Sequence, residues 1–307
     1  MYRHRLPLAA CAFATLIGSL IGCSAMDRAQ AVASTSMVPT SSAAQVSAPT
    51  AGATTATGKG GAVDPDKVLA KALAGVATEG KARYSVAVAS LDGAGSVARY
   101  GAGTAYDTAS IVKVDILAAV LLRAQDAGRP LTAQERTHAT AMIRSSDNAA
   151  ANALWETIGG AKGLDAANAR LGLTGTKGGA GGRWGLTRTT ADDQIKLLRA
   201  VFATGTGDAV LTKASRAYVQ DLMGRIAADQ DWGVSAAADT DWALKNGWLP
   251  RTATGLWDIN SIGWVTVNGH PYLVAVLSDG NASMDKGVAL VEHAAVTAVG
   301  ALAKSRV

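Results

Sequence analysis

Between positions 64 and 77 the apolar residues Val68, Leu69, Leu73 and Val76 recur at helical spacing, and Asp64, Pro65 and Asp66 suit a helix start, so this stretch predicts a helix. Two strand-like runs follow, 83–91 and 96–100, joined by the turn-rich Asp92-Gly93-Ala94-Gly95. A long, mostly helical pattern occupies 110–171, and the glycine-rich stretch 172–185 reads as loop. Helices are predicted again at 190–202, with Thr189 and Asp192 as its cap, and at 213–226. The chain then returns to strands at 242–249, 259–267 and 272–279. Asn268-Gly269 between the last two tolerates the positive φ values of a tight hairpin. A closing helix is predicted over 284–304. Strands at both ends with helices between them predict an α+β fold: one antiparallel sheet from both chain ends, flanked by helices, with an inserted all-helical subdomain. Clefts form readily where two such parts meet.

The N-terminal stretch does not fit that scheme. Arg3, His4 and Arg5 make a basic start, and the mostly apolar run 6–22 reads as a secretory signal, too short for a membrane-spanning helix. Leu20-Ile21-Gly22-Cys23 resembles a bacterial lipobox, in which cleavage precedes Cys23 and its thiol is diacylated. The ordinary alternative is plain secretion with a chance cysteine. Two acyl chains suffice for stable anchoring, so the expected location is the outer face of the bacterial cytoplasmic membrane. Residues 23–62 are rich in Ala, Ser and Thr, carry no charge between 29 and 58, and have too little apolar surface to fold. They read as a flexible tether spanning on the order of 35 Å. Residues 63–307 are one domain's worth of chain.

Composition narrows the chemistry. Cys11 and Cys23 are the only cysteines. The first leaves with the signal and the second is used for lipid, so the mature domain has no disulfide, no thiol nucleophile and no thiolate metal site. The formal charge of +5 falls to +3 without Arg3 and Arg5, and nothing resembles the basic, aromatic-interleaved footprint of a nucleic-acid binder. His138, His270 and His293 lack metal-ligand spacing, and no phosphate-binding glycine loop or Gly-x-Ser-x-Gly elbow occurs. Neither a metal nor a cofactor is expected, and the expected state is a monomer.

The candidate chemistry begins at Ser110. From 111 to 122 every residue is apolar except Lys113 and Asp115, so the helix expected to start at Ser110 is buried nearly all round, and Lys113 with it. Burial disfavours an ammonium and lowers its pKa, which lets a lysine act as a base. Ser110 lies three residues earlier, at the helix N-terminus behind the possible caps Asp107 and Thr108, where free N–H groups stabilise an oxyanion. Ser-x-x-Lys alone is weak: Ser283 to Lys286 repeats it in a polar setting. A second signal is Ser146-Asp147-Asn148, which either caps a helix or adds a proton-relaying hydroxyl and an amide that binds Lys113 or substrate. A third is Lys245-Asn246-Gly247 in a strand. There a lysine is ordinarily a solvated edge residue, but an adjacent glycine permits close backbone approach.

In order and setting these three motifs resemble those of the class A β-lactamase and penicillin-binding protein superfamily. Asn148-Ala-Ala-Ala-Asn152, Ile158-Gly159-Gly160 and Thr187-Arg188-Thr189-Thr190-Ala191 extend the likeness over roughly 64–307. The resemblance implies a β-lactamase/transpeptidase-like fold and a serine hydrolase acting on β-lactams or cell-wall peptides. It also implies roles. Ser110 is acylated, and Lys113 takes its proton, directly or through water. Ser146 protonates the leaving nitrogen. Lys245 lowers the pKa of Ser146 and attracts a carboxylate. The N–H groups of Ser110 and Trp248 form the oxyanion hole, and Asn148, Asn246, Gly247 and Trp248 line the substrate site.

Four departures bear on function. Class A enzymes carry an omega-loop glutamate that activates the deacylating water, whereas 166–191 contains no acid. Glu156 and Asp165 lie earlier, in predicted helices. Asn246 stands where Thr or Ser is usual. Trp248 stands where a small residue is usual, so it is expected to narrow the cleft or stack on substrate. Gly128-Arg129-Pro130 is a short connection between the first two motifs, which opens one side of the cleft. Acylation without efficient deacylation is the leading expectation. A peptidase-like or esterase-like enzyme, or an inert binding lipoprotein, are the alternatives.

Overall fold

The computed structural model describes residues 64–92, 96–204 and 209–305. The signal segment 1–22, Cys23 and the tether lie outside the described residues, as do Gly93, Ala94 and Gly95 of the first turn. The strands are β1 (Arg83–Ser90), β2 (Val97–Tyr100), β3 (Tyr106–Asp107), β4 (Arg188–Thr189), β5 (Trp242–Arg251), β6 (Leu256–Val267) and β7 (His270–Asn281). The helices are α1 (Pro65–Leu73), α2 (Val112–Asp126), α3 (Ala133–Arg144), α4 (Asn148–Ile158), α5 (Gly160–Arg170), α6 (Ala191–Phe202), α7 (Lys213–Met223) and α8 (Met284–Lys304).

Five strands form one antiparallel sheet in the order β2-β1-β7-β6-β5, so the N-terminal pair joins the three C-terminal strands where β1 meets β7. Alternation divides their side chains between two cores. Val86, Val88, Val274 and Val276 pack with Leu69, Leu73 and the apolar face of α8. Ala87, Ala89, Leu273, Ala275 and Leu277 pack with Ile116, Leu117, Leu197 and other residues of the helical layer. Because both faces are covered, β1 and β7 carry unbroken apolar runs at 86–89 and 272–277. The α+β architecture expected from the chain is the one observed.

Local boundaries depart where tertiary contacts intervene. The first helix stops at Leu73, two residues ahead of Gly75, rather than running to 77. The cap of α6 is Thr190, whose hydroxyl accepts from the Asp193 N–H, and not the expected pair Thr189 and Asp192. Thr189 is instead held in β4 opposite Tyr106, and Asp192 pairs with Arg99. The hairpin at Asn268-Gly269 has the positive φ values expected of it, 53° and 75°. Helix α8 has the predicted bounds. Ser283 is its N-cap, accepting from the Lys286 N–H, and Lys286 reaches Glu79, so the second Ser-x-x-Lys is a helix cap and a surface ion pair.

Candidate active site

The turn that carries Ser110 is built by close backbone packing. Helix α2 begins at Val112, so Ser110 sits in a 3-10 turn, Ala109–Ile111, that leads into it. Neither Asp107 nor Thr108 caps that turn. The Asp107 carboxylate pairs with Arg188 and Arg251, and Thr108 makes no capping bond. Ala109 is held at φ 46°, the left-handed region that costs a residue with a Cβ on the order of 1–3 kcal/mol. Tertiary bonds hold it there. The Thr108 N–H donates to Thr187 O at 2.8 Å, and buried Asn260 Nδ2 donates to Asp107 O at 2.9 Å and Thr108 O at 3.1 Å. A Cβ at Gly247 would lie 2.7 Å from both Ser110 N and Thr108 O. The glycine of the third motif therefore admits the chain's own nucleophile turn, where close approach of a substrate backbone was expected. The Ser110 hydroxyl is half-buried and has no hydrogen-bond partner among the described residues.

Lys113 is fully buried at the start of α2. Its Nζ donates to Ser146 O at 2.6 Å, Ser146 Oγ at 3.0 Å and Asn148 Oδ1 at 2.8 Å. Ser146 presents both oxygens because it is held at φ 54°. Capping of α4 falls to Asp147, which accepts from the Ala150 N–H at 2.6 Å and so leaves Ser146 and Asn148 free to face the lysine. Burial pulls the Lys113 pKa down to about 7, against a smaller upward pull from Asp147. Lys245, 1 % exposed although β5 is an edge strand, is held well below the ordinary lysine range by burial and then by the Lys113 charge. The structure thus sets Gly247 against the Ser110 backbone, joins Lys113 to Ser146 and Asn148, and brings Lys245 close enough for the Lys113 charge to act on it.

Asn246 and the side chain of Trp248 fall elsewhere. Alternation along β5 sends Lys245 and Gly247 toward the helical layer and Asn246 and Trp248 toward the α1–α8 layer. Asn246 is buried, and its Nδ2 donates to Gln230 O and Trp232 O, both at 2.8 Å, so its amide is not available to a substrate. The Trp248 ring packs against Trp232, with ring centroids 6.0 Å apart, so it neither narrows the cleft nor lies where a substrate would stack. The residue of β5 that packs on the Ser110 N–H is Gly247.

Three residues at the site were not anticipated: Asn260, Trp184 and Asn152. The Trp184 ring centroid lies 4.8 Å from Lys113 Nζ, and its Nε1 donates to Asn152 Oδ1 at 2.8 Å. A lone tryptophan in a glycine-rich loop, and asparagines one helical turn apart at 148 and 152, were the available signals. Of the earlier acids, Asp165 accepts from the Gly178 N–H and pairs with Lys177, so it braces the loop. Glu156 lines a shallow groove with Asn152 and Gly182.

Comparisons with known proteins bear on the family and the fold. The description "Beta-lactamase enzyme family" matches residues 131–305, more than half of the chain. The chain therefore belongs to the beta-lactamase enzyme family, the matched segment beginning after Ser110 and Lys113. Among solved structures it is similar to a class A beta-lactamase from Bacteroides cellulosilyticus, with 18% identity and a TM-score of 0.66, over 78% of this chain and 99% of that one. It is also similar to PBP-A, with 20% identity and a TM-score of 0.65, over 78% of this chain and 96% of that one. A PBP-A mutant in an acyl-enzyme complex with penicillin G gives 22% identity and a TM-score of 0.64, over 78% and 97%. At these identities the likeness is one of fold. No curated protein matches the chain.

Proposed function

We propose that the protein is a serine hydrolase that opens β-lactam amides by forming an acyl-enzyme at Ser110, and that it releases the acyl group slowly. The carrying observation is Lys113: a fully buried lysine, titrating near neutral pH, whose three acceptors are Ser146 O, Ser146 Oγ and Asn148 Oδ1. In this reading neutral Lys113 takes the Ser110 proton, directly or through water, as Oγ attacks the lactam carbonyl. The proton then passes through Ser146 Oγ to the leaving nitrogen. The oxyanion is met by the N–H groups of Ser110 and Trp248, a reading supported by the close packing of β5 on the Ser110 N–H. When protonated, Lys245 supplies the positive potential for a substrate carboxylate. The loop 172–187 offers no acid to activate a water against the ester.

Penicillin is therefore expected to add its full mass to the chain, on the tryptic peptide 100–113, and the adduct should persist for minutes or longer. Intact-mass timing and peptide mapping check both points. An adduct on another peptide would overturn the role of Ser110, and complete loss of the adduct within seconds would overturn slow release.

We also propose that the protein is exported and anchored through diacylated Cys23, on the strength of the Leu20-Ile21-Gly22-Cys23 run after a signal-like segment. When expressed in a bacterium, the full chain should partition into the detergent phase of a Triton X-114 extract, and Cys23→Ser should move it to the aqueous phase. Aqueous partitioning of both would leave plain secretion.

A further inference from the structure

Among the described residues Lys113 has no carboxylate as a hydrogen-bond partner; its acceptors there come from Ser146 and Asn148. The Trp184 ring, from the acid-free loop, covers it at 4.8 Å. That ring is not placed by the loop alone. Its indole N–H is fixed to Asn152 Oδ1, and Asn152 stands one helical turn beyond Asn148 on α4. One face of α4 therefore holds the lysine through Asn148 and the ring through Asn152. An indole face attracts an ammonium and has no comparable affinity for a neutral amine.

We propose that Trp184 is a positioning residue for the base: its indole face, tethered by Asn152, holds the Lys113 ammonium against Ser146 and Asn148 in place of a carboxylate partner. The proposal deepens the acyl-enzyme reading and rests on it for its meaning in catalysis. The charged groups facing Lys113 are few. Asp147, from the junction of α3 and α4, favours the ammonium, and Lys245, from β5, opposes it. On its own helix, Asp115 is instead set among Asp193 and Gln194 in the core. Trp184 thus offsets part of the burial cost of the ammonium. An indole, unlike a carboxylate, brings no second base that could deprotonate water, so the lysine is steadied without a route to hydrolysis of the ester.

The test compares the Lys113 titration in the full chain carrying Trp184→Leu, Trp184→Phe or Asn152→Ala. It is read from the carbon-13 shift of labelled lysine Cε and assigned by its loss in Lys113→Met. Leu keeps the apolar cover without the π face, and should lower the titration midpoint by about 0.5–1 pH unit. Phe keeps a π face without the indole N–H, and should recover most of that shift. Asn152→Ala leaves the ring intact but untethered, and should move the midpoint partway, which keeps the proposal testable if the Leu variant does not fold. The acid limb of the penicillin acylation profile should follow the same order. A midpoint unchanged in all three variants, or moved equally by Leu and Phe, would overturn the proposal. Absence of any penicillin adduct on the unaltered chain would instead sink the acyl-enzyme reading, and the titration of free Lys113 would still decide the role of Trp184.

Discussion

Replacing Lys113 by Met should slow penicillin acylation at pH 7 by about 10²–10⁴-fold, the usual contribution of a positioned general base. The same change should make the folded protein more stable. In the folded chain Lys113 titrates near 7, against an ordinary value of 10.5, because burial penalises its charge. Between those two values the unfolded chain binds more protons than the folded one, so stability rises with pH across that window. Below about 7 the full cost of the buried ammonium is present. Met removes that cost while giving up three hydrogen bonds, for an expected net gain of about 1–3 kcal/mol at pH 7. Urea unfolding measures the gain, and labelling with a reporter penicillin measures the loss. In the unaltered chain acylation should fall about tenfold per pH unit below 7, because the ammonium cannot accept a proton. Acylation of the Met variant at the original rate would remove Lys113 from the chemistry altogether.

Gly247→Ala should be nearly as damaging, for a steric reason. The added Cβ would meet Ser110 N and Thr108 O at 2.7 Å and Ile111 N at 2.9 Å. All three are backbone atoms, so none can rotate away as a side-chain tip would. The nucleophile turn must shift or the edge strand must peel, and a displacement of about 1 Å at a reacting group costs about 10² in rate. Overpacking of this kind also destabilises by about 1–3 kcal/mol. The expected result is a lower melting temperature together with a rate of penicillin labelling reduced at least a hundredfold. A variant that melts lower but labels at the original rate would show that the contact between β5 and the turn supports the fold alone.

Much of the architecture could be read along the chain, and particular residues show why. The bounds of α8 follow from its apolar period and from Ser283, and Asn268-Gly269 marks the β6–β7 hairpin through backbone freedom alone. The burial of Lys113 was visible because a helix apolar on all sides has no solvent face to offer it. The facing of the third motif was not legible. Lys245 and Asn246 are both polar and both buried, so β5 shows no alternation at that point, and the choice of face is made by distant partners at Gln230 and Trp232. Trp184 was hidden for a related reason. Its contacts are with α2 and α4, while its own neighbourhood reads only as glycine-rich loop. The start of α2 slipped by two residues because Ala109 is held in a conformation that tertiary bonds impose and that local preference opposes.

The two bonds from Asn246 to Gln230 O and Trp232 O also constrain how this chain can diverge. Thr at 246 would introduce a hydroxyl of the kind usual in related motifs, but it would exchange the two N–H donors of the amide for one O–H, so at least one of the two carbonyls would lose its donor. The Gln230–Trp232 stretch would need a new anchor before the exchange could be tolerated. Position 246 and that stretch are therefore expected to change as a set, the anchor of one being the side chain of the other.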